Sequence, residues 1–210
     1  MPAPDPLALL AKVPVIPVLT IDTADQAVPL ARALCEGGLP AIEVTLRTPA
    51  ALDAIKAISA RVPDAIVGAG TLRSSADIEA SVQAGAQFLV TPGTTAALAE
   101  VLIRTNLPAL PGCATVSEAL ALAALGFTAL KFFPAEASGG AAWLKSVSAP
   151  LPDIRFCPTG GIDMTNAAGY LALPNVFAVG GSWVAPREAL ASNDFARIAA
   201  LARNAAGLRS

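Results

Sequence analysis

Apolar positions along the chain recur with two alternating periods. Short runs rich in Val, Ile, Leu and Phe begin near Val13 (VPVIPVLTI), Pro40 (PAIEVTL), Ala65 (AIVGAGT), Gln87 (QFLVTPG), Leu107 (LPALPG), Thr128 (TALKFFP), Ile154 (IRFCPTGG) and Val176 (VFAVGGS). These read as strands, each starting 20 to 27 residues after the one before. Between them lie Ala- and Leu-rich stretches at helical spacing, such as Ala27, Leu30, Ala31 and Leu34. Helix starts are expected at Thr23 (with Gln26 three later), Ser75, Thr95, and Val116 or Ser117. Helix ends are expected at Gly37-Gly38, Gly85 and Gly126. Asp5 to Lys12 predicts a short extra helix before the first strand.

Strands alternating with helices imply parallel pairing through right-handed crossovers. Eight near-equal units predict a closed (β/α)8 barrel, a TIM barrel of the α/β class. A length of 210 residues sits near the lower end for that fold. The runs Gln87–Pro92 and Leu107–Pro111 are weak strands, so an open doubly wound sheet is the alternative. With no linker, composition break or low-complexity tract, residues 1–210 are expected to form one domain.

Composition narrows the functional classes. Apolar residues make up 54% and charged residues 14%, against about 25% charged in typical soluble domains. Such a chain has enough apolar surface to order a core. The net charge of −2 carries no basic footprint for nucleic acid. The longest uncharged stretch, Met164 to Pro186, is interrupted by Asn166, Gly169, Pro174, Asn175, Gly180 and Gly181, so it reads as elements broken by turns and not as a membrane span. The N-terminus, with Asp5 between Pro4 and Pro6, lacks the order of a signal peptide. The expectation is a soluble, cytoplasmic protein with no membrane partner, whose low charge suggests surface covered in an oligomer. Cys35, Cys113 and Cys157 are widely spaced and read as buried, reduced thiols. There is no histidine, which removes the commonest general base and metal ligand. No metal and no cofactor are therefore expected.

Strand periodicity then locates the chemistry. On the second strand Ile42, Val44 and Leu46 share one face, and Glu43, Thr45 and Arg47 the other. On the sixth, Leu130 and Phe132 oppose Lys131 and Phe133. On the third, Val67, Ala69 and Thr71 share a face. The apolar sets belong under the helices, so Glu43, Arg47 and Lys131 are expected inside the barrel, toward the strand C-termini where sites of this fold lie. An interior normally filled by branched apolar residues would not carry these for stability, because desolvation offsets the attraction of a buried pair. The seventh and eighth strands end Thr159-Gly160-Gly161 and Gly180-Gly181-Ser182, where glycines let backbone N–H groups approach an anion. An inward lysine, a nearby carboxylate and no histidine suggest imine chemistry, with Glu43 as the proton shuttle.

EVTLRT (Glu43–Thr48), GAGT (Gly68–Thr71), KFFPAE (Lys131–Glu136), FCPTGGI (Phe156–Ile162) and GGSW (Gly180–Trp183) together resemble the class I 2-keto-3-deoxy-6-phosphogluconate (KDPG) aldolases, which often also act on 4-hydroxy-2-oxoglutarate. The likeness runs from about Val13 to near the C-terminus. It implies that Lys131 forms an imine with a 2-oxo acid and that Glu43 is the general acid/base. It also implies that Arg47 and Thr71 bind the pyruvyl carboxylate, that Phe133 packs beside the imine, and that Pro92 lines the pocket. Thr159, Gly160, Gly161, Gly181 and Ser182 would hold the phosphate end. The partners implied are 2-oxo acid and aldehyde phosphate substrates, and the assembly a homotrimer. Three other readings stay open on the residues alone: an aldolase for the 6-phosphogalactonate epimer, a phosphosugar isomerase using Glu43 as base, and a sugar-phosphate sensor.

Overall fold

The computed structural model describes residues 4–209; residues 1–3 and 210 of the expected 1–210 domain lie outside them. A single helical turn, α1 (Leu7–Leu10), stands where the short extra helix was expected, and Asp5 accepts the Leu7 N–H at 2.9 Å. The alternation then runs β1 (Val15–Leu19), α2 (Ala27–Glu36), β2 (Ala41–Thr45), α3 (Ala51–Arg61), β3 (Ile66–Gly70), α4 (Ser75–Gln83), β4 (Phe88–Val90) and α5 (Ala96–Thr105). It continues β5 (Ala109–Leu110), β6 (Gly112–Cys113), α6 (Val116–Ala124), β7 (Ala129–Phe132), α7 (Gly140–Val147), β8 (Arg155–Pro158) and α8 (Ala167–Leu171). Last come β9 (Val179–Gly181), α9 (Arg187–Ala191) and α10 (Phe195–Ala206).

All strands pair in parallel, in the orders β5-β4-β3-β2-β1-β9 and β6-β7-β8. The expected fifth strand is split between the two groups, because Pro111 stands at its middle. Proline has no N–H to donate to a ladder, yet its carbonyl still accepts the Lys131 N–H at 3.0 Å. The chain therefore pairs with β4 before Pro111 and with β7 after it. The opposite seam, between β8 and β9, is closed by single bridges at Phe156–Val176 and Thr159–Gly180. The result is the (β/α)8 barrel, and the open-sheet alternative is set aside.

Two of the expected helix starts shift by one or two residues. The caps are Ser74 and Thr115, not Ser75 and Val116 or Ser117. The reason is the capping box: Asp77 and Glu118, three residues on, each reach back to the cap N–H while the hydroxyl accepts theirs. Thr95 caps α5 as expected, whereas Thr23 makes no side-chain cap bond. The helices end at the expected glycines, with Gly38, Gly85 and Gly126 all left-handed.

Register decides which side chains face inward. Glu43 pairs with Val18 and with Gly68, and Gly68 with Phe88, so these four positions share the inner face. On β3 the inner positions are thus Gly68 and Gly70. A Cβ at Gly68 would lie 2.4 Å from the Phe88 ring, and one at Gly70 would lie 2.1 Å from Glu43 Oε1. The outer face packs under the helices: Phe132 stacks on Trp143 of α7 at 4.3 Å, and Phe156 meets the same indole edge-on at 5.7 Å. Such ring pairs contribute about 0.5–1.5 kcal/mol beyond the area they bury.

All three cysteines are free; Cys113 and Cys157 are buried, but Cys35 is only partly so, at variance with the expectation of three buried thiols. Its position on the last turn of α2 leaves one side of the thiol open. Burial pushes the Cys35 thiol up to about 11 and those of Cys113 and Cys157 to about 12.

Gly68→Ala is expected to destabilise the protein by about 1–3 kcal/mol through overpacking. Gly169→Ala, inside α8 with open space around it, is expected to add about 0.5–1 kcal/mol. Urea unfolding midpoints of the two variants test this contrast. Because thiolate is the reactive species, iodoacetamide at pH 7.5 is expected to label the three cysteines far more slowly in the native protein than in urea, as read by mass spectrometry.

Candidate active site

The inner face of β2 and that of β7 meet across the barrel. Lys131 Nζ donates to Glu43 Oε1 at 3.0 Å and to Oε2 at 3.3 Å. The two residues are only 5% and 3% exposed. The three other ion pairs among the described residues, Glu100–Arg104, Glu188–Arg197 and Glu36–Arg203, all lie on the surface. Exposed pairs of that kind contribute little. The buried one removes two charges from water, a cost that attraction barely offsets. Its retention at the barrel centre therefore marks chemistry more than stability.

The surroundings are shaped to admit that pair. Gly70 leaves room for the Glu43 carboxylate, as the 2.1 Å approach requires. In the ladder, Lys131 sits between Gly112 and Cys157. Its ammonium lies 5.6 Å from the centre of the Phe133 ring. The Phe133–Pro134 peptide bond is cis.

Beside the pair, at the C-terminal mouth of the barrel, lies a cavity of about 510 Å³. Of the expected site residues, Arg47, Phe133, Thr159, Gly160, Gly161, Gly181 and Ser182 line it. Thr71 and Pro92 do not. Thr71 follows Gly70 in a left-handed conformation at φ 61°, which costs a β-branched residue about 1–2 kcal/mol. Pro92 presents its carbonyl to the Cα of Gly112. Arg47 differs from expectation in one respect. The strand ends at Thr45, so Arg47 lies beyond it, on an exposed turn at the cavity mouth. The turn is fixed by Leu46 N–H to Gly70 O at 2.9 Å, Arg47 N–H to Thr45 O at 2.8 Å, and the Thr48 hydroxyl to Ile21 O.

The loop after β8 is held from behind. Ala135 N–H donates to Thr159 O at 2.8 Å and Glu136 N–H to Gly160 O at 3.1 Å. Gly160 and Gly161 have φ of 101° and 77°, and a Cβ at Gly161 would lie 2.5 Å from Glu136 Cγ. Glu136 in turn accepts the Tyr170 hydroxyl, and burial together with this carboxylate pushes the tyrosine upward. Asn166 Nδ2 donates to Gly161 O at 2.9 Å. Thr159 Oγ1 would be met at 2.2 Å by any Cβ on Gly180, which ties this loop to the next.

Sequence reasoning missed several of these residues. Glu136, Tyr170 and Asn166 brace the glycine loop, and Glu136 alone had a signal, its place in KFFPAE. Trp183 and Arg187 also line the cavity. The Trp183 ring covers Gly181, and its buried Nε1 has no partner among the described residues. Arg187 carried no sequence signal, since only the turn after Ser182 brings it to the mouth. Among the described residues no three His, Cys, Asp or Glu side chains gather to hold a metal ion, and no helix is long and apolar enough to cross a membrane.

Comparison with known proteins agrees with this geometry. The chain is 50% identical over 192 residues to the 2-dehydro-3-deoxy-phosphogluconate aldolase of Pseudoalteromonas atlantica, covering 91% of this chain and 89% of that one. It superposes with a TM-score of 0.94 on the KDPG aldolase of Legionella pneumophila, whose crystal structure holds pyruvate as a covalent carbinolamine. The identity there is 42%, over 97% of this chain and 98% of that one. The corresponding enzyme of Zymomonas mobilis, crystallised with 3-phosphoglycerate, gives a TM-score of 0.91 at 43% identity, over 96% and 94% of the two chains. The family model of KDPG and KHG aldolases matches residues 7–201, and with a core pair, a mouth cavity and relatives of this similarity the chain belongs to that family.

Proposed function

We propose that this protein is a class I aldolase, a carbon–carbon lyase. It cleaves 2-dehydro-3-deoxy-6-phospho-D-gluconate reversibly to pyruvate and D-glyceraldehyde 3-phosphate, and it also accepts 4-hydroxy-2-oxoglutarate. The observation that carries this reading is the hydrogen-bonded Lys131–Glu43 pair buried beside a cavity that opens at the barrel mouth. The relatives are named for this activity, and one of them holds pyruvate covalently.

Lys131 Nζ is the nucleophile. Its ammonium first gives a proton to the Glu43 carboxylate; the freed amine attacks C2 of the 2-oxo acid to form a carbinolamine, and Glu43 returns that proton to the departing hydroxyl, so that water leaves and the iminium remains. The iminium draws electrons from the C3–C4 bond. Glu43, within hydrogen-bond reach of the same nitrogen, takes the C4 hydroxyl proton as that bond breaks, directly or through one water. The aldehyde phosphate departs and the enamine remains. Protonation at C3 restores the iminium, and water returns to C2 to release pyruvate and the free amine. Glu43 thus gives and takes protons in turn, the work a histidine would otherwise do. Phe133 shields one side of the imine and Arg47 holds the carboxylate next to C2; Thr71 and Pro92, outside the cavity lining, are assigned to the same end by the family resemblance alone. Thr159, Gly160, Gly161, Gly181 and Ser182 receive the phosphate end, and the braced loop supports that assignment. No cofactor enters these steps.

We take residues 1–210 as a single domain, a reading supported by one continuous apolar core. A homotrimer is the proposed assembly, supported by the low charge and by exposed Leu120, Leu125 and Val116 on and beside α6. A cytoplasmic location is supported by three free cysteines.

Borohydride reduction in the presence of pyruvate is expected to leave a pyruvyl adduct on Lys131, located by peptide mass spectrometry. Lys131→Ala is expected to abolish both the adduct and cleavage; substantial residual turnover would exclude the imine. Glu43→Gln is expected to lower kcat by about 10²–10⁴-fold, the range of general acid–base catalysis, with a much smaller effect on pyruvate binding. An unchanged kcat would remove Glu43 as the proton shuttle.

A further inference from the structure

Among the described residues, the only charged side chains lining the active-site cavity are two arginines, Arg47 and Arg187. No acidic residue lines it, and neither guanidinium has a hydrogen-bond or ion-pair partner among the described residues. Two unpaired cations facing one cavity, in a chain of net charge −2, fit a ligand with an anionic group at each end. We propose that Arg187 reads the distal phosphate of the substrate and sets the preference for phosphorylated over unphosphorylated sugar acids. This inference rests on the aldolase reading above.

Its placement supports that division of labour. Arg47 follows β2, the strand that carries Glu43, and so belongs with the end of the substrate that bears the carboxylate beside C2. Arg187 stands on the segment after β9, which also carries Gly181 and Ser182. A turn closed by Ala185 N–H to Ser182 O at 3.1 Å brings the chain back over the mouth. Pro186 O then accepts the N–H groups of Ala189 and Leu190 and starts α9 with Arg187 as its first residue. The helix is anchored from the other side, because Gln26 Nε2 donates to Leu190 O at 2.9 Å.

The neighbouring acid is occupied elsewhere. Glu188 pairs with Arg197 of α10 at 3.3 Å, so it does not neutralise Arg187. A guanidinium free of competing carboxylates offers paired N–H donors in the geometry that matches phosphate oxygens. Because Arg187 is exposed, the effect is expected in substrate capture, carried by KM more than by kcat.

The test compares wild type, Arg187→Ala and Arg187→Lys. Each is assayed for kcat and KM on 2-dehydro-3-deoxy-6-phospho-D-gluconate and on its unphosphorylated counterpart, 2-dehydro-3-deoxy-D-gluconate. The ratio of the two kcat/KM values is the readout. Arg187→Ala is expected to lower that ratio by about 10-fold or more, the scale of one charge-assisted bond. The loss should lie mainly in KM for the phosphorylated substrate, and Arg187→Lys should recover part of it. Pyruvate trapping on Lys131 shows that each variant is folded. A ratio that Arg187→Ala does not move, or a loss confined to kcat, overturns the proposal. A wild-type enzyme that cleaves neither substrate overturns the aldolase reading itself, and Arg187 with it.

Discussion

The Lys131–Glu43 hydrogen bond is the constraint around which the barrel is arranged. Two charged groups only 5% and 3% exposed are costly to bury. The interior makes room for them with the smallest residues it has. Gly70 admits the carboxylate, Gly68 admits the Phe88 ring below it, and Gly112 stands next to Lys131 in the ladder. A barrel filled in the usual way with branched apolar side chains would have no space for this pair. Stability is recovered on the outer face, where Phe132, Phe156 and Trp143 weld α7 to the strands.

The mouth is built by a second logic, that of backbone held in place from behind. Left-handed Gly160 and Gly161 press against Phe133 and Glu136, and the chain after Lys131 donates two N–H groups into the loop after β8. The segment KFFPAE therefore serves twice: Lys131 projects inward, while Ala135 and Glu136 clamp the neighbouring glycine loop. The same strand end thus fixes the Lys131 nitrogen relative to the glycine loop after β8.

Much of this was legible along the chain. Period-two alternation placed Glu43 and Lys131 on inner faces, and their 3.0 Å contact agrees. The breakdowns have local causes. Pro111 splits the fifth strand because it lacks an N–H. Ser74 and Thr115 replace the expected caps because an acid three residues on rewards those positions. Arg47 lies on a turn and not on the strand, because β2 ends at Thr45.

The order of strands and helices, the barrel they close, and the inward carboxylate and amine were determined by the sequence alone. Each follows from periodicity and chain direction, which are local properties. The neighbours of those groups were decided only in three dimensions. Arg187 reaches the cavity because the Ser182–Pro186 turn and the Gln26 anchor carry it there. Thr159 meets Gly180 because β8 and β9 are bridged there, and Glu136 meets Tyr170 because α8 lies against the turn after β7. Such contacts join residues far apart in the chain, and no pattern within either segment specifies the distance between them.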